Sequence, residues 1–496
     1  MKKLLLSILS LLLPMLASAY DFEAKNADDV TIYYNIINDG TELEVTRKNT
    51  TDFDSYSGEV NIPDKVAYGG KTLPVTSIGS LAFYNCSSLT SVIIPNSVTT
   101  IKGRAFYASE GLTSVTFGNS VATVGTRAFS HCSSLTSVTI PNSVTTIGER
   151  AFQSCSGLTS VTIPNSVTTI GDFAFQNCTS LASVTIGNSV TRIGGRAFSN
   201  CTSLTFLNVE RGNTKYDSRN NCNAIIETAT NTLIQGCVET VIPSSIPSIG
   251  YYAFEGSNLT SVTIPKFVTT IGKYAFASCT SLKTIQVEGG NTVYDSRNNC
   301  NAIIETASNT IIQGCMTTVI PNSITTIVDG AFYGCEGLTS VKIPNSVTSI
   351  GNQAFYGCHL ISVISKMENP CSIDGACFHY DVFNNATLYV PKGTKEEYES
   401  TDYWNKFQNI EEGEPTVTPA NAPTESIPVL ISSHDGNLLV ASEMEGLPVS
   451  VYSLDGKALG SSQVKGGQAV IATNLPKGTI VVVKVGERSM KVKSEE

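Results

Sequence analysis

The chain has 496 residues, a formal net charge of −10 and only 15% charged residues. This balance argues against a nucleic-acid partner, because binding to phosphates needs clustered lysine and arginine side chains. Ser, Thr and Asn are frequent where charged residues would otherwise be expected. We therefore expect contacts made through hydrogen bonds and van der Waals area, with little dependence on salt.

The first 19 residues have the three parts of a secretory signal peptide. Two lysines precede an apolar run over 4–13, and an Ala-Ser-Ala triplet ends at residue 19. The run is too short to cross a bilayer, and no later stretch of about 18 apolar residues occurs in the sequence. We predict an exported chain, secreted or on the outer cell surface, without a transmembrane segment in its mature form.

Residues 20–75 follow no repeat, and we predict that they form an N-terminal cap. Apolar and polar residues alternate at 30–34 and 43–46, which is typical of half-buried strands. Such a cap is needed because the first unit of a repeat array would otherwise expose an apolar surface.

A fixed period of about 23 residues governs residues 76–368. A period in this range predicts a solenoid, in which each unit buries its apolar face only against its neighbours. An extended surface, rather than a single pocket, would then carry the function. The eleven phenylalanines that mark the period are Phe83, Phe106, Phe129, Phe152, Phe175, Phe198, Phe254, Phe276, Phe332, Phe355 and Phe378.

The stretch LTSVTIPNSVTTIGDFAFQNCTS, residues 158–180, shows the repeat unit most clearly. Val161 and Ile163 flank a polar residue, which predicts a short parallel strand, and Pro164 ends it because proline lacks an N–H. The valine and isoleucine that follow are expected to cross the core in a turn. Phe175 then lies on a short helical or 3-10 turn, with its ring as the apolar wedge of the unit.

Two inserts, 210–237 and 288–315, break the period in the same way, and their sequences are nearly identical. In the first, the alternating runs 224–227 and 232–235 flank a short turn. We predict a β-hairpin that projects from the solenoid edge and offers a contact site. The alternative is a hairpin that only widens one coil.

Four charged residues of the inserts are candidate ligand contacts: Asp217, Arg219, Asp295 and Arg297. They stand in two Tyr-Asp-Ser-Arg-Asn-Asn stretches, and their charges suit an ion or a carboxylate ligand. Asp, Ser and Asn are also the residues that turns require, so a structural role is the alternative.

Three segments follow the repeats. Residues 369–411 are predicted to form a C-terminal cap, with a helix over 395–407 that carries the only tryptophan, Trp404. Residues 412–428 contain four prolines among Thr, Glu and Ala, which is typical of an extended linker. Residues 429–496 show short alternating runs with an Asp-Gly hairpin turn at 455–456, and we predict a small β-sandwich.

The sequence contains no recognised motif for catalysis, metal binding or cofactor binding. HExxH, CxxC and phosphate-binding glycine loops are absent from it, and His131 fits a surface or packing role better than metal binding. The interior positions hold Leu, Val, Ile and Phe, without the paired carboxylates that glycan cleavage needs. We predict no enzymatic activity and no cofactor.

Fourteen cysteines in an exported chain would usually indicate disulfides. Eight of them follow a marker phenylalanine by three residues, and Ser109 and Ser257 replace two further members of this column. We interpret the eight as free thiols that serve as small buried apolar groups. Better disulfide candidates lie within single modules: Cys222 with Cys237, Cys300 with Cys315, and Cys371 with Cys377.

The outward positions of the predicted strands form two columns of small hydroxyl residues. A repetitive, weakly charged face suits a repetitive ligand, because many weak contacts add up. Ser and Thr are also tolerated on any solvated strand, which is the alternative. The candidate ligand face comprises Ser114, Thr116, Ser137, Thr139, Ser160, Thr162, Ser183 and Thr185.

The recurring SVTIPNSVTTIGxxAFxxCxSL pattern, the NCNAIIETATNTLIQGC insert and the closing ATLYVPKGTKEEYESTDYWNKF resemble the BspA-like leucine-rich-repeat proteins of the Bacteroidetes over about residues 20–411. The resemblance implies a leucine-rich-repeat solenoid on an exported protein. Better-known relatives act as adhesins for host matrix proteins, in coaggregation or in innate immune recognition. We expect an adhesin-like protein that binds a protein or glycan on host or neighbouring cells. A structural surface spacer without a specific ligand is the alternative.

The segments VYSLDGK at 451–457 and LPKGTIVVVKV at 475–485 resemble a type IX secretion sorting domain. This second resemblance implies a C-terminal tail that an outer-membrane export machinery reads.

Overall fold

The computed structural model describes residues 19–49 and 54–415, together with 430–434, 437–441, 446, 448–453, 457–465, 468–472, 479–485 and 488–493. The chain divides into two compact units, Met1–Glu414 and Pro415–Glu496. The predicted signal peptide up to residue 18, and most of the predicted linker, lie outside the described residues.

The N-terminal segment contributes strands to two sheets that lead into the repeats. Its strands are β1 (Phe22–Lys25), β2 (Thr31–Ile37), β3 (Glu42–Thr46), β4 (Gly58–Asn61), β5 (Lys65–Tyr68) and β6 (Lys71–Ile78). β1, β2 and β3 pair antiparallel in this order, and β3 then pairs in parallel with β6. β4 pairs with the first strand of the coils rather than with β1 to β3. Tyr34 and Val45 are fully buried in a core that continues into the first coils.

Most solenoid coils contribute strands to two parallel sheets. A longer strand, usually Ser-Val-Thr-Ile, alternates outward polar and inward apolar residues, and a two-residue strand, usually Thr-Ile, follows it. The strands of the first coils are β7 (Leu89–Ile93), β8 (Thr100–Ile101), β9 (Ser114–Thr116), β10 (Thr123–Val124), β11 (Thr146–Ile147), β12 (Ser160–Ile163), β13 (Thr169–Ile170), β14 (Ser183–Ile186), β15 (Arg192–Ile193) and β16 (Phe206–Val209).

The second sheet corrects one prediction. The segment through Val167 and Ile170, predicted as a turn, contains β13, which pairs in parallel with β11. A strand of two residues is too short to produce a detectable period in the sequence. Most coils are therefore bonded to a neighbour through two sheets.

The marker phenylalanines stack through the core. From Phe83 to Phe198, adjacent ring centroids lie 4.7–5.4 Å apart, and the ring planes are within 6° of parallel. This distance is close to the spacing of about 4.8 Å between paired strands. The rings therefore repeat in step with the sheets.

The segment around each phenylalanine is a hydrogen-bonded turn rather than a regular helix. In the coil of Phe175, Phe173 and Asn177 have left-handed φ angles of 57° and 60°. The N–H of Phe175 donates to Ala197 O at 2.8 Å, and that of Asn177 to Ser199 O at 3.0 Å. These bonds join neighbouring coils, while bonds such as that from Gln176 N to Phe173 O at 3.1 Å close the turn internally. They offset the cost of left-handed backbone at a bulky residue.

The two inserts and the later coils form further sheets. Short 3-10 helices occur at Arg219–Asn221 and Arg297–Asn299. The strands are β17 (Tyr216–Asp217), β18 (Ala224–Glu227), β19 (Thr232–Gly236), β20 (Ser248–Ile249), β21 (Ser261–Ile264), β22 (Thr270–Ile271), β23 (Thr284–Val287), β24 (Tyr294–Asp295), β25 (Ala302–Glu305), β26 (Thr310–Gly314), β27 (Thr326–Ile327), β28 (Ser340–Ile343), β29 (Ser349–Ile350) and β30 (Ser362–Ser365).

The hairpins of the inserts do not project, which corrects a second prediction. β18 and β19 pair antiparallel, and β19 continues into the sheet by parallel pairing with β20 of the next coil. Ala224, Ile225 and Ile226 are fully buried. An apolar strand gains free energy by leaving water, so it lies in the sheet. The alternative, a widened coil, describes the structure.

Each insert interrupts the stack of phenylalanines. A new stack begins with Phe254 and Phe276 after the first insert, and another begins after the second. Gly236 lies so close to the ring of Phe254 that any Cβ would overlap it, and Gly314 has the same place in the second insert. The buried residues accordingly form three clusters along the solenoid.

All fourteen cysteines are free thiols, and all except Cys371 are buried. The three predicted disulfides are therefore wrong. In the first insert, Cys237 Sγ donates to Asn223 O at 3.2 Å instead of bonding to Cys222. The backbone carbonyl gives the thiol a partner without a covalent bond.

The cysteine column is made of hydrogen-bond donors, which an argument from size alone missed. Cys155 Sγ donates to Phe129 O of the preceding coil at 3.1 Å. Ser109 Oγ donates in the same way to Phe83 O, so serine keeps the donor at this position. The same bond occurs at Cys132, Cys178, Cys201, Cys279 and Cys358. Ser257 Oγ, at the other serine position of the column, is buried without a hydrogen-bond partner among the described residues.

Alkylation should count fourteen free thiols in the unfolded chain. In denaturant without reductant, iodoacetamide should add fourteen groups by intact mass, because the structure contains no disulfide. In the native chain labelling should be slow, since burial keeps thiols protonated. A mass that rises by two groups only after reduction would reveal a disulfide.

The C-terminal cap closes the third cluster. Its elements are α1 (Tyr380–Asn385), β31 (Thr387–Val390), α2 (Lys395–Ser400), a 3-10 helix at Trp404–Lys406 and β32 (Asn409–Glu412). The helix predicted over 395–407 ends at Ser400 because Thr401 is extended and Tyr403 is left-handed. Trp404 is fully buried, and its Nε1 donates to Cys371 O at 2.8 Å.

The C-terminal unit contains two antiparallel sheets, ordered β33-β34-β37 and β36-β35-β38-β39. Buried residues of both sheets form one apolar cluster. The β-sandwich stays a prediction, and the predicted turn at 455–456 lies outside the described residues. The strands are β33 (Leu430–His434), β34 (Asn437–Ala441), β35 (Pro448–Tyr452), β36 (Ala458–Gln463), β37 (Gln468–Ala472), β38 (Ile480–Val485) and β39 (Arg488–Lys493).

Candidate ligand-binding face

The strand face consists of the outward residues of the longer strands and of the equivalent positions at 137 and 139. In β12 and β14, Ser160 is paired with Ser183 and Thr162 with Thr185. Ser160 and Thr162 are exposed, Ser183 and Thr185 are half-buried, and the apolar residues between them are buried. The hydroxyl groups of adjacent coils thus stand side by side.

The predicted columns are not continuous. Ser114 and Thr116 are exposed on β9, which pairs with β7. Ser137 and Thr139 are exposed but lie on no strand. Residues 135–140 separate the sheet β4-β7-β9 from the sheet β12-β14-β16. The sheet that carries the two columns is therefore interrupted at this coil.

Sequence reasoning missed an aromatic residue on the strand face. Phe206 is paired with Ser183 and is 47% exposed. At the other end, Ile93 is paired with Thr116 and is also 47% exposed. The face is therefore rich in hydroxyl groups with an apolar residue at each end. Phe206 could have been found from the sequence, because it occupies the outward position of the repeat that Ser183 holds in the preceding coil.

The four charged insert residues form two ion pairs, one in each insert. Arg219 donates to Asp217 through Nε at 2.9 Å and Nη2 at 2.7 Å, and its Nη1 donates to Asn231. Arg297 and Asp295 repeat this pair at 2.8 and 2.6 Å. Burial opposes ionisation, yet the hydrogen bonds from Arg297 lower the pKa of Asp295. Each pair closes its own turn, which favours the structural role.

The other candidates give no sign of chemistry within the part of the chain that the structure describes. No group of three or more His, Cys, Asp or Glu side chains there could hold a metal ion, and no helix there is long and apolar enough to cross a membrane. His131 has a left-handed φ of 63° and packs edge-on against Tyr107, with centroids 5.3 Å apart. Packing accounts for its position.

The family model described as the BspA type leucine rich repeat region matches residues 76–205, 213–313 and 308–400, in six copies. The chain belongs to the BspA-type leucine-rich-repeat family. In this BspA-type chain, the matched residues include the strand face from Ser114 to Thr185 and the strands of both inserts.

Several solved structures resemble this BspA-type chain. A leucine rich cell surface protein from Faecalibacterium prausnitzii is 26% identical, with a TM-score of 0.40 over 80% of this chain and 96% of that one. The pneumococcal vaccine antigen PcpA is 20% identical, with a TM-score of 0.50 over 80% and 99%. A leucine-rich repeat protein from Bacteroides ovatus is 23% identical, with a TM-score of 0.45 over 80% and 100%. The likeness to PcpA is one of fold. No curated protein sequence matches the chain.

Proposed function

We propose that the chain is a non-enzymatic binding protein of the outer cell surface that recognises a host matrix protein, a glycan or another cell through its strand face. One observation carries the proposal. In four successive coils, from Ser114 to Thr185, every outward residue of the face is Ser or Thr and none is charged. Such a face offers many equivalent donors and acceptors but no single deep site.

The binding energy would come from repetition. A hydroxyl contact contributes only about 1 kcal/mol, so one coil would bind too weakly to matter. Four coils presenting the same pair of hydroxyl groups to a repetitive partner convert weak contacts into a useful affinity. Phe206, which is exposed at one end of the face, would add an aromatic anchor of the type common at binding hot spots.

Export would use both ends of the chain. Residues 1–19 would direct secretion. Because the C-terminal unit resembles a type IX sorting domain, an outer-membrane export machinery would recognise it. Detection of the chain on intact cells, and its loss from the surface when residues 429–496 are deleted, would support this route. Unchanged surface display of the truncated chain would contradict it.

Glutamates on the strand face should abolish binding. The test variant carries Ser160→Glu, Thr162→Glu, Ser183→Glu and Thr185→Glu, and binding is measured on an array of matrix proteins, glycans and bacterial surfaces. We expect at least a roughly hundredfold loss, because burying unpaired carboxylates costs several kcal/mol. All four positions point outward, so the fold should survive, which circular dichroism checks.

The matched control adds the same charge outside the face. It replaces Thr179, Ser180, Thr202 and Ser203 by Glu, all of them exposed in the turns before strands β14 and β16. The control should bind like the natural chain. Equal loss in both variants would indicate a non-specific charge effect. Failure of the natural chain to bind any array member would favour a structural spacer.

A further inference from the structure

A column of arginines lies on the turn face, which is the surface formed by the segments around the marker phenylalanines. In three successive coils, the residue two positions before the phenylalanine is an arginine: Arg104, Arg127 and Arg150. All three have left-handed φ angles of 55–57°. Arg104 is exposed, and the other two are half-buried. The three side chains therefore reach the surface of adjacent coils.

Backbone hydrogen bonds hold these arginines one strand spacing apart. Arg104 N donates to Thr126 O at 2.9 Å, and Arg127 N donates to Glu149 O at 2.8 Å. Each bond runs to the residue just before the next arginine of the column, so neighbouring backbones lie about 4.8 Å apart, as paired strands do. The three arginine side chains therefore start from one row along the stack of coils.

Only the last arginine of the row has partners that explain it. Arg150 Nη1 forms an ion pair with Glu149, and its guanidinium carbon lies 4.6 Å from the centre of the Phe173 ring. Within the described part of the chain, neither Arg104 nor Arg127 forms an ion pair or lies over an aromatic ring. Two guanidinium groups on adjacent coils are therefore available to a ligand.

The backbone does not favour arginine at these two positions. Left-handed φ angles are adopted most easily by Gly or Asn, and the equivalent residue in later coils is Gly330 or Gln353. Like charges directly opposite each other on paired backbones are destabilising. Arg104 and Arg127 therefore lower the stability of the free chain, and an anion bound between them would recover it.

The row is a local positive region of an acidic chain. The net charge of −10 belongs to all 496 residues, and charges more than about 8 Å apart are largely screened at physiological ionic strength. Glu149 contacts the row, but it is already paired with Arg150. An anion would therefore be attracted to Arg104 and Arg127 in spite of the overall charge.

We propose that the turn face binds a sulfated polysaccharide, with Arg104 and Arg127 donating to sulfate groups and Arg150 extending the row. A guanidinium group matches an oxyanion because it donates two parallel N–H bonds. A polysaccharide sulfated on successive sugars presents a row of anions to a row of arginines. Three arginines, one of them paired, are too few for the long phosphate contact of a DNA duplex. This site lies outside the strand face, where hydroxyl groups would make the contacts.

The test variant carries Arg104→Gln and Arg127→Gln, since Gln353 shows that glutamine fits the left-handed position. Heparin is the probe, and the full chain is titrated at about 50 mM salt. We expect saturable binding that weakens at least about tenfold in the variant, because each lost bond is charge-assisted. Raising the salt to about 500 mM should weaken binding to the natural chain at least about tenfold.

The matched control removes two exposed arginines outside the row, through Arg192→Gln and Arg211→Gln, and should bind heparin like the natural chain. The test variant should melt no earlier than the natural chain at low salt, because it removes adjacent like charges. A lower melting temperature would show that the two arginines stabilise the fold, and it would overturn the proposal. So would equal loss in test and control variants, no binding by the natural chain, or equal binding of desulfated heparin or a DNA duplex. Ligands of the strand face should bind the test variant unchanged, so the two sites can fail separately.

Discussion

Raising the pH from about 8 to about 10 should destabilise the folded chain steeply, because its buried thiols cannot ionise in place. Burial raises the pKa of Cys201 and of Cys335 to about 12, and it raises the pKa of Cys155 and Cys178 well above the usual value. An unfolded thiol has a pKa near 8.5, so above that pH only the unfolded chain releases the proton. Stability is complete below about pH 8.5 and falls by about 1.4 kcal/mol per pH unit for each such thiol.

Urea unfolding at a series of pH values measures this loss. The matched variant has serine at Cys132, Cys155, Cys178 and Cys201, since serine keeps the donor, as it does at Ser109, and does not ionise in this range. Its free energy of unfolding should fall less steeply between about pH 8.5 and pH 10. Identical slopes for the two proteins would show that other groups cause the loss.

Phe152→Ala should reduce the free energy of unfolding by about 3–5 kcal/mol. Phe152 is fully buried, and its ring stacks on Phe129 and Phe175 with centroids 5.3 and 5.2 Å apart. Because each coil contacts only its neighbours, no distant part of the chain can fill the cavity. The variant would therefore be weakened in the middle of the first core cluster.

The control for this prediction is Phe267→Ala, which removes a ring of the same size that is 59% exposed. It should change the free energy of unfolding by less than about 0.5 kcal/mol. Hydrogen exchange resolved by segment complements the urea data, because a solenoid can unfold in parts. A loss below about 1 kcal/mol for Phe152→Ala would mean that the stack contributes little.

The repeat fold could be predicted because a buried ring in every coil leaves a regular trace in the sequence. Phe175 and its equivalents mark the core, and Pro164 marks the end of a strand. The short strand Thr169–Ile170 could not be predicted in this way, since two residues carry no period. The left-handed Phe173 was equally hidden, because bonds to the next coil maintain it against the intrinsic preference of the residue.

The candidate face was predicted in composition but not in continuity. Ser160 and Thr162 are exposed as expected, since alternation along a strand fixes which residues point outward. The interruption at Ser137 and Thr139 leaves no trace in the alternation, since both residues keep their outward positions. Contacts between coils are not visible in the pattern of one coil. The role of the insert charges was also hidden, because pairing of Arg219 with Asp217 depends on the local turn.

The two inserts make the chain extensible by whole segments. Each insert contacts the following coil in the same two ways. In the first insert, β19 pairs with β20 and Gly236 packs on the ring of Phe254. In the second, β26 pairs with β27 and Gly314 packs on the ring of Phe332. The segment from one insert to the next is therefore a unit whose two end surfaces match. Duplication of this unit lengthens the solenoid without creating a new type of contact between coils. The length of the solenoid can therefore change in evolution while the packing at every junction is preserved.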